Sequence, residues 1–251
     1  FAIITGLNLP MLIQAYTDDN DQVVVDPAII NAVQEADRLY ILAAGTSYHA
    51  GFATKRMLEE LTDTPVELGI SSEWGYRWPL LSKKPMFILI SQSGETADSR
   101  QVLVKANAMG IPSLTVTNVP GSTLSREATH TMLLHAGPEI AVASTKAYTA
   151  QIATLAFLAK AVGDANGNEK AKQFDLVHEL SIVAQAIEAT LSEKDSIDDK
   201  VRALLATTRN AFYIGRGQDY YVAMEASLKL KEISYIQCEG FALSLIHISE
   251  P

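Results

Sequence analysis

Apolar residues in this chain gather in short unbroken runs, each closed by a glycine or a hydroxyl-rich segment and followed by a longer mixed stretch. Leu39-Tyr40-Ile41-Leu42-Ala43-Ala44 stops at Gly45, and Met86-Phe87-Ile88-Leu89-Ile90 stops at Ser91. Runs without polar alternation predict strands buried on both faces, as in a parallel sheet. Weaker strands are predicted at 65–70, 114–117 and 131–134. The segments between them predict helices over 48–61, 97–108 and 144–162, the second ended by Gly110 at a C-cap position. Asn118-Val119-Pro120-Gly121 predicts a turn. Strand–helix alternation with short connections predicts an α/β fold, a three-layer α/β/α sandwich around a parallel sheet.

Gly163-Asp164-Ala165-Asn166-Gly167-Asn168 is polar and glycine-containing and predicts a linker. Two helical stretches follow, over 170–194 and 198–207, and then Ala211-Phe212-Tyr213-Ile214-Gly215-Arg216-Gly217 again runs a strand into a glycine. Residues 40–61 lie on 212–233 without gaps, matching Gly45 to Gly217, Tyr48 to Tyr220 and Glu60 to Glu232. This predicts a second copy of the domain, represented by its first strand and helix. The expected organisation is a linker remnant over 1–25 and a first domain over 26–165. Connecting helices and the start of the second copy occupy 166–242, and an unrelated tail 243–251.

Charge narrows the partners. Lys and Arg total 20 against 29 Asp and Glu among 251 residues, a net charge of −9. Nucleic-acid grooves are built largely from Lys and Arg, so no nucleic-acid partner is expected. The apolar run between Lys146 and Lys160 falls short of the ~20 residues a spanning helix needs, so no membrane partner is expected either. A single cysteine, Cys238, excludes an intrachain disulfide and a CxxC metal site. With no signal peptide a cytoplasmic location is expected, and Phe1 as first residue points to a fragment.

The candidate chemistry sits where strands end. Ser91-Gln92-Ser93-Gly94-Glu95-Thr96 brings hydroxyls and unpaired backbone N–H groups to a helix N-terminus, an arrangement that favours an anion. It is neither a Walker A loop nor GxGxxG. A plainer account makes Ser93 the N-cap of that helix, with Glu95 favourable at its positive end. Gly45-Thr46-Ser47 and Ser144-Thr145-Lys146 occupy corresponding strand ends, as turns, caps or further walls of one polar pocket. Glu225, Lys229 and Glu232 share one helix face. They form either a solvated ion-paired stripe or a carboxylate base beside a cation that stabilises a developing oxyanion. His49, His130, His135, His178 and His247 form no metal signature.

Three segments resemble sugar isomerase (SIS) domain motifs: 44–48, 91–98 and Glu139-Ile140-Ala141-Val142-Ala143-Ser144-Thr145-Lys146-Ala147. Joined by Gly215-Arg216-Gly217 and the stretch 225–235, they resemble, over about 14–241, the SIS domains of enzymes that aminate fructose 6-phosphate. The resemblance implies one SIS domain followed by the start of a second, truncated one. It implies a homodimeric enzyme that makes glucosamine 6-phosphate from fructose 6-phosphate and glutamine-derived ammonia, with no metal or organic cofactor. Ser91, Gln92, Ser93 and Thr96 would hold the sugar phosphate; Thr46, Ser47, Val142 and Ser144 would line the sugar. Glu232 would move a proton between C1 and C2 with Lys229 beside it. Other readings are a SIS-type sugar-phosphate sensor, which would carry a basic helix-turn-helix, and an amino-sugar-phosphate deglycase or deaminase. The family's glutaminase domain, ring-opening histidine and Schiff-base lysine have no counterpart here, and 243–251 does not match the family, so His247 takes no role. The chain alone is therefore expected not to turn substrate over.

Overall fold

A computed structural model describes residues 8–139 and 143–243. The chain divides into two compact units, one over 1–140 and 144–184, the other over 141–143 and 185–251.

The first unit runs α1 (Asn8–Ala15), α2 (Pro27–Glu35), β1 (Arg38–Ala43), α3 (Gly45–Thr62), β2 (Val66–Ile70), α4 (Ser71–Tyr76) and β3 (Pro85–Ser91). It continues through α5 (Ala97–Ala108), β4 (Ser113–Thr117), α6 (Thr123–Glu127), β5 (His130–Leu133), α7 (Lys146–Ala165) and α8 (Glu169–Gln173) into α9 (Leu176–Ser192). The five strands are all parallel, in the order β2-β1-β3-β4-β5. Successive strand residues face opposite sides, and here both sides are dry. Leu39, Ile41, Met86, Ile88 and Ile90 join a core with Leu58 of α3 and Phe157 of α7. Tyr40, Leu42 and Phe87 pack with Trp74 of α4 and Val102 of α5. That is the physical origin of the unbroken apolar runs and of the three layers.

Several boundaries differ from the sequence expectation. Helix α3 begins at Gly45, because that residue takes φ +53 and turns the chain directly out of β1. The first half of the stretch read as a linker at 163–168 is helix: α7 runs to Ala165 with Gly163 buried. A Cβ at Gly163 would lie 2.6 Å from Ala171 Cβ and 2.7 Å from the Leu61 carbonyl oxygen. Asn166 then donates to Thr62 O (3.0 Å), and Asn168 to Glu60 O (3.1 Å) and Asp63 Oδ2 (3.0 Å). The asparagines thus fasten α7 and α8 to α3, and the unit extends through Ala184. At the other end, residues expected as a linker remnant form α1, with Leu12 fully buried and Tyr16 donating to Leu133 O at 2.8 Å.

The second unit carries the end of α9, then α10 (Lys194–Leu205), β6 (Asn210–Gly215), α11 (Gln218–Ser234) and β7 (Gln237–Ala242). The sequence suggested one strand and one helix; β7 completes a parallel β-α-β unit. Duplication is legible down to single contacts. Leu39 pairs with Val66 and Ala211 with Cys238, 27 residues on in both cases. Asp63 and Tyr235, the capping residues after α3 and α11, both take φ +57. Before them Thr62 Oγ1 donates to Leu58 O (2.8 Å) and accepts from Thr64 N (3.2 Å). Ser234 Oγ does the same with Leu230 O (2.5 Å) and Ile236 N (3.2 Å).

Candidate functional site

Strand order reverses between β1 and β3: the chain steps from β1 outward to β2, then returns to the far side of β1. In open α/β sheets ligands bind at the carboxyl ends of strands beside such a switch point. The two loops there are Ala44-Gly45 and residues 91–96.

Residues 91–96 form a tight, internally bonded loop. Ser91, 3% exposed, ends β3 and turns its hydroxyl back, 2.8 Å from Thr96 Oγ1, while accepting from Gly94 N at 3.0 Å. Ser93 is exposed and accepts from Glu95 N at 3.2 Å. The plainer sequence account therefore does not describe this loop. Ser93 does not cap α5, whose N-cap residue is Thr96, with no side-chain cap bond. Glu95 serves the neighbouring helix, accepting from Thr123 N at 2.8 Å at the start of α6. Hydrogen bonding from the Thr123 hydroxyl and backbone N–H holds the Glu95 carboxyl below its ordinary range. Gly94 is obligatory: it takes φ +67, and a Cβ there would fall 2.0 Å from Ser122 Oγ.

Helices α3 and α7 bring their N-termini to the same rim. Ser47 and Gln151 are buried between them, and Gln151 Nε2 donates to Ser47 Oγ at 2.9 Å. At the far ends Asn166 meets Thr62, so the helices run parallel. Neither α3 nor α7 has a side-chain bond from its N-cap residue, Ala44 and Thr145. Helices α2 and α8, which do not follow a strand, are capped by Asp26 and Asn168. Helices α3 and α5 thus open uncapped at the rim, each end carrying roughly +0.5 charge, whereas the first turn of α7 already donates from Ala147 N to Glu139 Oε2 at 3.3 Å. Half-buried Thr46 lies in the first turn of α3. Ser144 Oγ is buried without a hydrogen-bond partner among the described residues, two residues before the buried Lys146, whose ammonium donates to Pro138 O. Val142 lies outside the described residues. Thr46, Ser47, Ser91, Gln92, Ser93, Thr96 and Ser144 all belong to the first unit. Sequence reading passed over Gln151 and the role of Ser122 and Thr123 behind the loop; Asn118-Val119-Pro120-Gly121, just before them, reads only as a turn.

In the second unit, Lys229 on α11 sits between two carboxylates. Its Nζ lies 2.6 Å from Glu232 Oε2 and 3.6 Å from Glu225 Oε1. The Glu225 side chain is 6% exposed and the Lys229 side chain 18%, against 37% for Glu232. The face is therefore not a uniformly solvated stripe: a buried carboxylate holds the cation, and the cation presents an accessible carboxylate. Among the described residues no cluster of His, Cys, Asp and Glu could hold a metal ion, and no helix is long and apolar enough to cross a membrane.

Comparison with known proteins gives the family. Residues 32–161 match the SIS domain family. The chain belongs to that family. Its SIS domain covers the whole parallel sheet and most of α7, the helix whose N-terminus completes the rim. Among relatives, the chain is 88% identical over 231 residues to glutamine–fructose-6-phosphate aminotransferase [isomerizing] of Streptococcus pneumoniae, and 84% identical to that of Streptococcus pyogenes. Each match takes in 92% of this chain but 38% of the relative, so the chain spans well under half the length of the proteins it matches. Among solved structures, the C-terminal domain of glucosamine-fructose-6-phosphate aminotransferase from Francisella tularensis superposes with a TM-score of 0.89 at 31% identity, covering 97% of this chain and 69% of that one.

Proposed function

We propose that this chain carries the sugar-phosphate site, and part of the proton-transfer machinery, of an isomerizing glutamine–fructose-6-phosphate aminotransferase. The observation that carries the proposal is the loop 91–96: hydroxyl-rich, built around an obligatory glycine, and opening an uncapped helix at the sheet's switch point. Near-identity to aminotransferases of that name supports the choice of fructose 6-phosphate as substrate and of glucosamine 6-phosphate as product.

The phosphate is held by Ser91, Gln92, Ser93 and Thr96 with the N–H groups of the first turn of α5. Such groups favour a dianion because they are donors at a helix's positive end. Thr46, Ser47, Ser144 and Val142 line the sugar, the Ser47 hydroxyl being fixed by Gln151. Glu232 carries a proton from C1 to C2, and Lys229 stabilises the charge that develops on the intermediate. Nitrogen arrives as ammonia derived from glutamine, and the enzyme works as a cytoplasmic homodimer.

Calorimetric titration of the 251-residue chain with fructose 6-phosphate tests the site. Thr96→Val and Ser93→Ala should each weaken binding about tenfold, a loss of ~1.4 kcal/mol. Fructose without its phosphate should give no heat. Equal affinity in all three proteins would remove the phosphate from this loop.

A further inference from the structure

We propose that the connection from β4 to α6 is a brace for the phosphate loop, and that Glu95 is the positioning residue through which the loop is held; this rests on the reading of residues 91–96 as the phosphate site. Three loop acceptors are taken up by this connection and the first turn of α6. The Gln92 carbonyl accepts from Asn118 N at 3.0 Å and from Thr117 Oγ1 at 3.4 Å. The Gly94 carbonyl accepts from Leu124 N at 2.9 Å, and the Glu95 carboxylate from Thr123 N at 2.8 Å.

The consequence follows from peptide geometry. In a trans peptide the N–H lies opposite the preceding C=O, and no cis bond occurs here. Drawing the carbonyls of Gln92 and Gly94 back to the connection turns the Ser93 N–H to the opposite side, and with it the Glu95 N–H, which donates to Ser93 Oγ at 3.2 Å and so fixes that hydroxyl on the same side. Donors fixed in advance bind an anion better than donors that must be ordered at the moment of binding. Ser122 backs the arrangement: it is 3% exposed, and its hydroxyl packs against Gly94 with no hydrogen-bond partner among the described residues. No side chain larger than hydrogen fits between loop and brace.

Glu95 is the loop's own side-chain contribution to this contact. Its carboxylate is exposed, so it supports the loop without belonging to the core. Docking of α6 does not depend on it, because Arg100 on α5 grips Glu127 through a fork of 2.7–3.0 Å bonds, and Asn107 Nδ2 donates to Glu127 O at 2.8 Å. Loss of Glu95 should therefore loosen residues 92–96 and leave α5 and α6 packed.

The test compares the 251-residue chain with Glu95→Ala and Glu95→Gln, since glutamine keeps an oxygen that can accept from Thr123 N. Backbone amide exchange of the ligand-free proteins is read first. Glu95→Ala should speed exchange at Thr123 and Leu124 at least fivefold, Glu95→Gln should restore protection, and exchange across β3 and β4 should be unchanged. Titration with fructose 6-phosphate is read second: Glu95→Ala should bind about tenfold more weakly and Glu95→Gln within about twofold of the unaltered chain. Unchanged exchange in Glu95→Ala overturns the brace, and so does unchanged affinity, or a Glu95→Gln protein as impaired as Glu95→Ala. If the unaltered chain fails to bind the sugar phosphate, the phosphate reading of the loop falls, while the exchange measurement still decides the brace.

Discussion

Tyr16 ties the N-terminal helix to the sheet through one hydroxyl. Its ring stacks on Phe157 with centroids 5.3 Å apart, and its OH donates to Leu133 O at 2.8 Å. Burial pushes the phenol up to about 12, because the charged phenolate loses its hydration there. A raised folded pKa fixes the sign: the neutral phenol's contribution is complete below about pH 10, the unfolded value, and is lost as pH climbs toward 12. Tyr16→Phe should cost ~1 kcal/mol at neutral pH from the lost hydrogen bond. It should also flatten the fall in stability between pH 10 and 12. Urea unfolding of both proteins at pH 8 and pH 11, followed by circular dichroism, checks this; a parallel decline in the two would show that Tyr16 is not the titrating group.

Among elements, the duplicated β-α-β unit lets one device be compared with itself. Asp63 and Tyr235 both end their helices in the left-handed region, which costs a non-glycine residue about 1–2 kcal/mol. Asp63 recovers part of that through Asn168, 3.0 Å away, whereas Tyr235 is 96% exposed. Tyr235→Gly should accordingly stabilise the chain by ~1 kcal/mol and Asp63→Gly by less, as read from urea midpoints. An equal gain at both sites would mean that the asparagine contact contributes nothing. The same comparison explains what sequence could convey. Strands β1 and β3 were legible because both their faces are buried, leaving no polar alternation to blur them. Strand β7 was not, since Gln237, Glu239 and Gly240 interrupt any apolar run. Helix α1 was hidden because its packing partners lie more than a hundred residues away on β5 and α7. The loop 91–96 announced itself by its hydroxyls and its place after a strand. That Glu95 caps α6 instead of α5 could not be read, because the deciding partner, Thr123, is distant in sequence and becomes a neighbour only through the sheet.

At the scale of the whole molecule, the two units differ in how much each has buried. The first contains a five-stranded sheet covered on both faces, whereas β6 leaves Phe212 at 66% and Ile214 at 48% exposure. The hydroxyls and helix ends of the rim lie in the well-packed unit, and the Glu225–Lys229–Glu232 face lies in the other. The uncapped helix ends have a kinetic consequence. The chain carries a net charge of −9, and a sugar phosphate approaches with about −1.5 to −2 of its own. At low ionic strength, where the Debye length is ~30 Å at 0.01 M, the ligand meets a repelling body before it reaches the positive ends of α3 and α5; at physiological salt, with a Debye length of ~8 Å, that repulsion is screened and the short-range capture remains. Added salt should thus screen the approach more than the grip. The association rate for fructose 6-phosphate, followed by stopped flow, should rise about twofold or more between low and physiological ionic strength, the opposite of an electrostatically steered encounter. A falling rate would mean that the helix ends project their field well past the surface, and that this acidic protein draws its anion in from a distance.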